Sequence, residues 1–305
     1  MQRFKKILFV NEQHSRATST PRRAAQIARN NNAQLTLCDA SKELPRTLVK
    51  LEKTYKQIHE SQLMSLFEKI DLSGIKTKAR LLTGTPFIEI IKEVQRGGHD
   101  LVIKSAEGSG GLFSNLFGET DMHLMRKCPC PVWIVKPSKD KNYARIVAAV
   151  DPDPEVKENA DLNKNILSLA SSLAHQENST LHIVHTWYLL GEDMLRSKRT
   201  PLLESEVDEI ITDIQNKHRR WLDDLLGHHN LEGLDVKIHL LKGNAGKIIP
   251  SLAKKKLADI VVMGTVSRTG VGGFFIGNTA EKILRNVDCS VLTIKPDSFE
   301  TPIKV

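Results

Sequence analysis

One stretch of this chain has residue types and spacing suited to holding an anion. It runs Asp259-Ile-Val-Val-Met-Gly-Thr-Val-Ser-Arg-Thr-Gly-Val-Gly-Gly-Phe-Phe-Ile-Gly-Asn-Thr279. Ile260 to Met263 is a short apolar run closed by Gly264, the pattern of a buried strand. A loop of glycines and hydroxyls follows. Gly277-Asn278-Thr279 then opens a helical pattern through Ala280, Ile283, Leu284 and Val287. A strand, a glycine loop and a helix start can turn backbone N–H groups toward a phosphate. Gly264 has no side chain to hold a ligand away from the backbone. Asn278 and Thr279 can cap the helix, bind an anion, or do both. A plain strand–helix turn without ligand satisfies the same residues.

Other chemistries find less support. The chain has no G-x-S-x-G elbow, Walker A loop or His-Glu-x-x-His motif, so a dedicated enzyme is not expected. Gly243-Asn244-Ala245-Gly246-Lys247 lacks the Walker spacing and the Ser/Thr after Lys247. Gly270-Val271-Gly272-Gly273 lacks the last glycine of a dinucleotide fingerprint. His182 and His185 lie three apart on a strand pattern and so face opposite ways, unable to chelate together. Cys128-Pro129-Cys130 has no second pair to complete a zinc site, and Cys130 is expected in the core.

Composition sets the frame. The 305 residues favour two domains, and 40% apolar content is enough for packed cores. A net charge of +8 brings phosphorylated ligands and nucleic acid into consideration. The cations are scattered, however, and aromatic residues make up 5%, so no stacking surface for nucleic acid is visible. No apolar run approaches a membrane span or a signal h-region, and four cysteines are too few for a disulfide framework. A cytoplasmic protein is expected.

The elements alternate. Lys6–Val10, Gln34–Cys38, Lys76–Leu82, Asp100–Lys104 and Val132–Val135 suit strands. Helical patterns separate them, one of which carries Leu48, Leu51, Tyr55, Ile58, Leu63, Leu66 and Ile70. A polar segment from Pro137 to Asn142 links to a second round, whose first strand Ile146–Val150 ends at Asp151. The rounds align at a constant offset of 159, as in 243 − 84: Gly84 with Gly243, Asp100 with Asp259, Gly118 with Gly277, Thr120 with Thr279, Cys130 with Cys289. No gap interrupts the match from Gly84 to Pro137, so the chain holds two copies of one α/β unit.

Gly264, Ser267 and Gly277-Asn278 resemble the nucleotide loop of universal stress proteins, G-x2-G-x9-G-[S/T]. Ser267 stands for the second glycine and Asn278 for Ser/Thr. The paired first strands (Lys6-Ile7-Leu8, Arg145-Ile146-Val147), the Lys-Pro that closes each copy, His99-Asp100-Leu101-Val102 and Arg126-Lys127-Cys128-Pro129 extend the likeness. The whole chain is similar to tandem members of that family, nearest to the two-domain E type. The resemblance implies a bacterial stress-response protein that binds ATP or another adenine nucleotide, with Mg beside it, and turns it over slowly or not at all. Its site residues would be Asp151, Met263, Gly264, Ser267, Arg268, Gly277, Asn278 and Thr279.

The expected fold is α/β, with two tandem five-stranded parallel-sheet units of the adenine nucleotide alpha hydrolase-like, Rossmann-like kind, at residues 1–140 and 141–305. They would pack as an intramolecular pseudo-dimer through the apolar last strands Val132–Val135 and Val291–Ile294; a further homodimer is left open. In the first copy Ser105 stands for Gly264, Glu12 for Asp151 and Glu119 for Asn278. Glu119 at a helix N-terminus would act as a built-in anion, leaving that copy without nucleotide. The alternative is a hydrophobic or lipid-like ligand held near Val271, Phe274, Phe275 and Ile276, or a scaffold with no ligand.

Overall fold

The computed structural model describes residues 3–11, 19–44, 46–107, 117–136, 142–197, 202–265 and 276–305. Glu12, Pro137, Ser267, Arg268, Gly270, Val271, Phe274 and Phe275 lie outside them. Strands and helices alternate as the apolar patterning demands. The first copy contains β1 (Lys6–Asn11), α1 (Ser19–Asn31), β2 (Gln34–Ser41), α2 (Glu52–Lys69) and β3 (Thr77–Thr83). It continues with α3 (Pro86–Gly97), β4 (Leu101–Ser105), α4 (Glu119–Lys127) and β5 (Val132–Val135). The second contains β6 (Arg145–Ala149), α5 (Lys157–Glu177), β7 (Thr180–Trp187), the short α6 (Glu192–Leu195) and α7 (Glu204–Gly227). Then come β8 (Val236–Lys242), α8 (Ala245–Lys255), β9 (Ile260–Gly264), α9 (Asn278–Asn286) and β10 (Ser290–Ile294).

Two compact units result. One comprises Met1–Asn142 with Thr265–Gly277 and Asp288–Val305; the other comprises Tyr143–Gly264 with Asn278–Val287. In the first unit the strand order is β3-β2-β1-β4-β5-β10. The first five strands are parallel, and β10 joins β5 antiparallel, with Leu292 opposite Trp133. The two apolar last strands therefore cover each other, as edge strands must be covered. In the second unit the order is β9-β6-β7-β8, all parallel. Central strand β4 is buried along its whole length, and its apolar run Leu101 to Ile103 is continuous. The outermost β3 is largely exposed and carries Lys78 and Arg80.

The repeat is legible in backbone detail. Gly84 and Gly243 both hold a positive φ, +143° and +137°, where a side chain is strained. Asp100 accepts hydrogen bonds from the backbone N–H groups of Lys5 and Lys6, and Asp259 accepts the same pair from Ala144 and Arg145. These repeated aspartates pin strand starts rather than bind ligand. One apolar pattern is less buried than expected: α2 buries Leu63 but exposes Ile58. It packs on β2 and β3, at the end of the sheet, so a narrow line of its surface reaches the core.

Candidate functional site

Strand order reverses between β1 and β4 in the first unit and between β6 and β9 in the second. Ligands of open α/β sheets sit at the carboxyl ends of strands at such points. In the second unit Ala149 of β6 lies beside Met263 of β9. The strands therefore deliver Asp151 and Gly264 to the same rim. Asp151 is held there by two asparagines of α5, one turn apart. Its backbone N–H donates to Asn163 Oδ1 at 2.9 Å, and Asn163 Nδ2 returns a bond to its carbonyl at 2.7 Å. Asn159 Nδ2 donates to both the carbonyl and the carboxylate of Asp151. Neither asparagine was apparent in the sequence as a site residue. The signal was present as Asn-x-x-x-Asn on the helix after the strand-end Asp.

Packing gives Gly264 a reason to be glycine. A β-carbon there would lie 2.6 Å from Leu162 Cδ2, so the α5 leucine packs directly on the backbone. Asn278 and Thr279 begin α9 and are exposed, whereas Ala280 behind them is buried. Gly277 is buried, and its N–H donates to Thr265 O at 3.2 Å. Ile276 is also buried, so among the described residues the apolar part of this loop is packed rather than displayed.

The equivalent corner of the first unit is filled by the chain's own charges. Lys104 and Asp121 are fully buried and form an ion pair at 2.9 Å. Glu107 stands 3.4 Å from the same ammonium. Asp121 accepts from the backbone N–H groups of Glu107, at 2.8 Å, and of Gly118, at 3.2 Å; Glu107 Oε2 accepts from Thr120 N–H at 3.1 Å. A β-carbon on Gly118 would lie 1.9 Å from that carboxylate oxygen. Burial raises the Asp121 carboxyl to about 6, against the pull of Lys104. The built-in anion at the start of α4 is thus Glu107 and Asp121. Glu119, expected in that role, is 85% exposed and faces His123 one turn on. At the start of a helix its side chain points outward, while Asp121 and the loop residue Glu107 fold inward over the N–H groups.

At the offset of 159, Lys104, Glu107 and Asp121 become Met263, Val266 and Ala280. The second copy has none of the three charges. Beside the first corner an open groove of about 760 Å3 is lined by Glu43, Glu89, Glu107 and Glu119 against Lys42 and Lys92. That balance opposes a polyanion.

The remaining candidates resolve into packing. His182 and His185 do point to opposite faces of β7, and each meets another histidine. His182 Nδ1 lies 3.0 Å from His239 Nε2, and His185 Nε2 lies 2.8 Å from His218 Nδ1. Burial, then His239 and Lys256, holds His182 below its ordinary value, and burial, then Lys256, does the same to His239. All four cysteines are buried free thiols. Among the described residues no three His, Cys, Asp or Glu side chains gather to hold a metal, and no helix is long and apolar enough to cross a membrane.

Comparison with known proteins agrees with this architecture. The model of the universal stress protein family matches residues 3–136 and again 142–295. Universal stress protein E of Escherichia coli K12 is 36% identical over 231 residues, covering 72% of this chain and 68% of that one. A Haemophilus influenzae homolog of universal stress protein E is 28% identical over 272 residues, 87% of this chain and 86% of the relative. Among solved structures, a functionally unknown Pseudomonas aeruginosa PAO1 protein superposes with a TM-score of 0.70 at 26% identity, over 97% and 94% of the two chains. A universal stress protein from Archaeoglobus fulgidus shares the fold, with a TM-score of 0.66 at 17% identity over 95% and 98%. With both copies matched, and that identity across more than two thirds of each chain, this chain belongs to the universal stress protein family.

Proposed function

We propose that this protein is a cytoplasmic stress-response module whose C-terminal copy, within residues 141–305, holds an adenine nucleotide, ATP or another, with at most slow hydrolysis. The observation that carries this reading is the difference between the corners. In the first copy carboxylates already satisfy the helix-start N–H groups; in the second their counterparts are Val266 and Ala280. Asp151, clamped at the end of β6, would take the adenosine end. Met263 and Gly264 would line the rim, and Asn278 and Thr279 would meet phosphate at the start of α9. Ser267, Arg268 and Gly277 complete the set. Exposed polar side chains at a helix start fit a polyphosphate, and the first-turn carboxylate of α9, Glu281, is paired with Arg285. Mg would arrive on the phosphates, since the described residues offer no ready carboxylate cluster. The lack of a G-x-S-x-G, Walker A or His-Glu-x-x-His motif in the sequence supports binding without dedicated catalysis.

Mass spectrometry of small molecules released on denaturing the purified protein tests this. An adenine nucleotide near one equivalent is expected. A lipid-like molecule in its place would overturn the reading and favour the hydrophobic ligand.

A further inference from the structure

A second chemical centre lies in the first unit, away from the anion corner. Cys128 ends α4, its N–H bonded to Leu124 O, and Cys130 leads into β5. Their sulfurs are 3.6 Å apart. Lys295, at the end of β10, is buried beside them. Its ammonium donates to Met125 O and Thr265 Oγ1, each at 2.7 Å, and lies 4.7 Å from the Phe299 ring centre. Among the described residues no carboxylate faces this cation; the charges acting on it are those of Cys128 and Cys130. A buried ammonium without a counter-ion is costly, and a thiolate is the anion within reach. Burial lowers Lys295 to about 8. Burial raises the Cys128 thiol, but hydrogen bonds from the Cys130 thiol and backbone, with Lys295, bring it below its ordinary value. Cys130 is pushed up, chiefly by its bond to Cys128. The two thiols thus share one hydrogen bond beside the buried Lys295 ammonium, an arrangement that favours thiolate character at one of them.

We propose that Cys128 and Cys130 form a dithiol oxidised by hydroperoxides, with Cys128 attacking, Cys130 resolving and Lys295 as the positioning counter-cation. The Cys128 thiolate attacks the outer peroxide oxygen and breaks the O–O bond. The leaving alkoxide or hydroxide is protonated, and Cys128 becomes a sulfenic acid. Cys130, deprotonated in turn, attacks the Cys128 sulfur and expels hydroxide, which leaves as water. Two thiols and one hydroperoxide give one disulfide, one alcohol and one water. The sulfurs must close to about 2.05 Å. A ring spanning one intervening residue is strained, so the bond would be readily reducible, in the manner of regulatory disulfides. Cys130 retains 9% exposure while Cys128 has none, so a water-sized oxidant suits the site better than a bulky reagent.

Peptide mapping of the reduced, folded, full-length protein after brief hydrogen peroxide treatment tests this. The tryptic peptide beginning at Cys128 should lose two hydrogens and regain them with dithiothreitol. Cys130→Ser should instead accumulate a sulfenic acid at Cys128 that dimedone traps. Lys295→Met should slow oxidation about tenfold, and Lys295→Arg should restore most of the rate. Wild-type peptide that keeps both thiols while the fold is intact, or a disulfide mapping to Cys38 or Cys289, would overturn the proposal without recourse to any variant. Equal rates in wild type and folded Lys295→Met would remove the lysine from it.

Discussion

The starts of α4 and α9 are the same position in two copies of one unit, and they solve the same problem differently. Both need partners for the N–H groups a helix leaves unsatisfied. At α4 the chain supplies Glu107 and Asp121, and buries Lys104 to balance them. At α9 the counterparts are apolar, and exposed Asn278 and Thr279 stand first. Glycine at 118 leaves room for the Glu107 carboxylate oxygen, and Gly277 repeats the residue at the start of α9. Duplication thus leaves one copy with an internal charge pairing that the other lacks.

The largest effect on this comparison should come from Asp121→Asn. It leaves the buried Lys104 with Glu107 alone, at 3.4 Å. Denaturant unfolding should show this as a stability difference from wild type that changes with pH by about 3 kcal/mol. The same variant has a pH signature. Asp121 in the fold titrates at about 6, above its ordinary value of 3.8. Between these values the folded chain holds a proton that the unfolded chain has released. Its contribution to stability therefore declines as pH rises through that window, by about 3 kcal/mol. Asp121→Asn lacks the group, so wild-type stability relative to the variant should fall from pH 4 to 6.

Gly264→Val comes next. Its β-carbon meets Leu162, so thermal unfolding should show about 1–3 kcal/mol of overpacking. Adding Leu162→Ala should recover part of that. If the double variant still fails to bind nucleotide while folding well, close backbone approach at Gly264 matters in its own right. Asn163→Ala removes two hydrogen bonds from the Asp151 backbone and should cost about 1–2 kcal/mol by the same measurement. Least of all should come from Glu119→Asn, which restores the second copy's residue at an exposed position. Stability should change by less than about 0.5 kcal/mol, with no nucleotide site gained.

How much was legible follows from range. The repeat, the strands and the opposed faces of His182 and His185 depend on periodicity and offset, both local properties of a sequence. Glu119 was misassigned because position at a helix start is local too, while the side chains that fill the space are not. Glu107 reaches Thr120 from 13 residues upstream, a pairing that no local pattern states. The partners His239 and His218 depend on strand register and on where α7 lies. Lys295 reaches Met125 O across 170 positions, through the pairing of β5 with β10. Lys136, the counterpart of Lys295, is exposed and donates to Asp288 O, so the shared Lys-Pro motif does not fix burial.

Calorimetric titration of the full chain with ATP, ADP and AMP, beside Asn278→Glu, bears most directly on the difference between the copies. Wild type should bind one equivalent of nucleotide. Asn278→Glu, which sets a carboxylate against the phosphates, should weaken that binding on the order of 100-fold. No heat from wild type at millimolar nucleotide, two equivalent sites, or unchanged affinity in Asn278→Glu would contradict the assignment of the site to the start of α9.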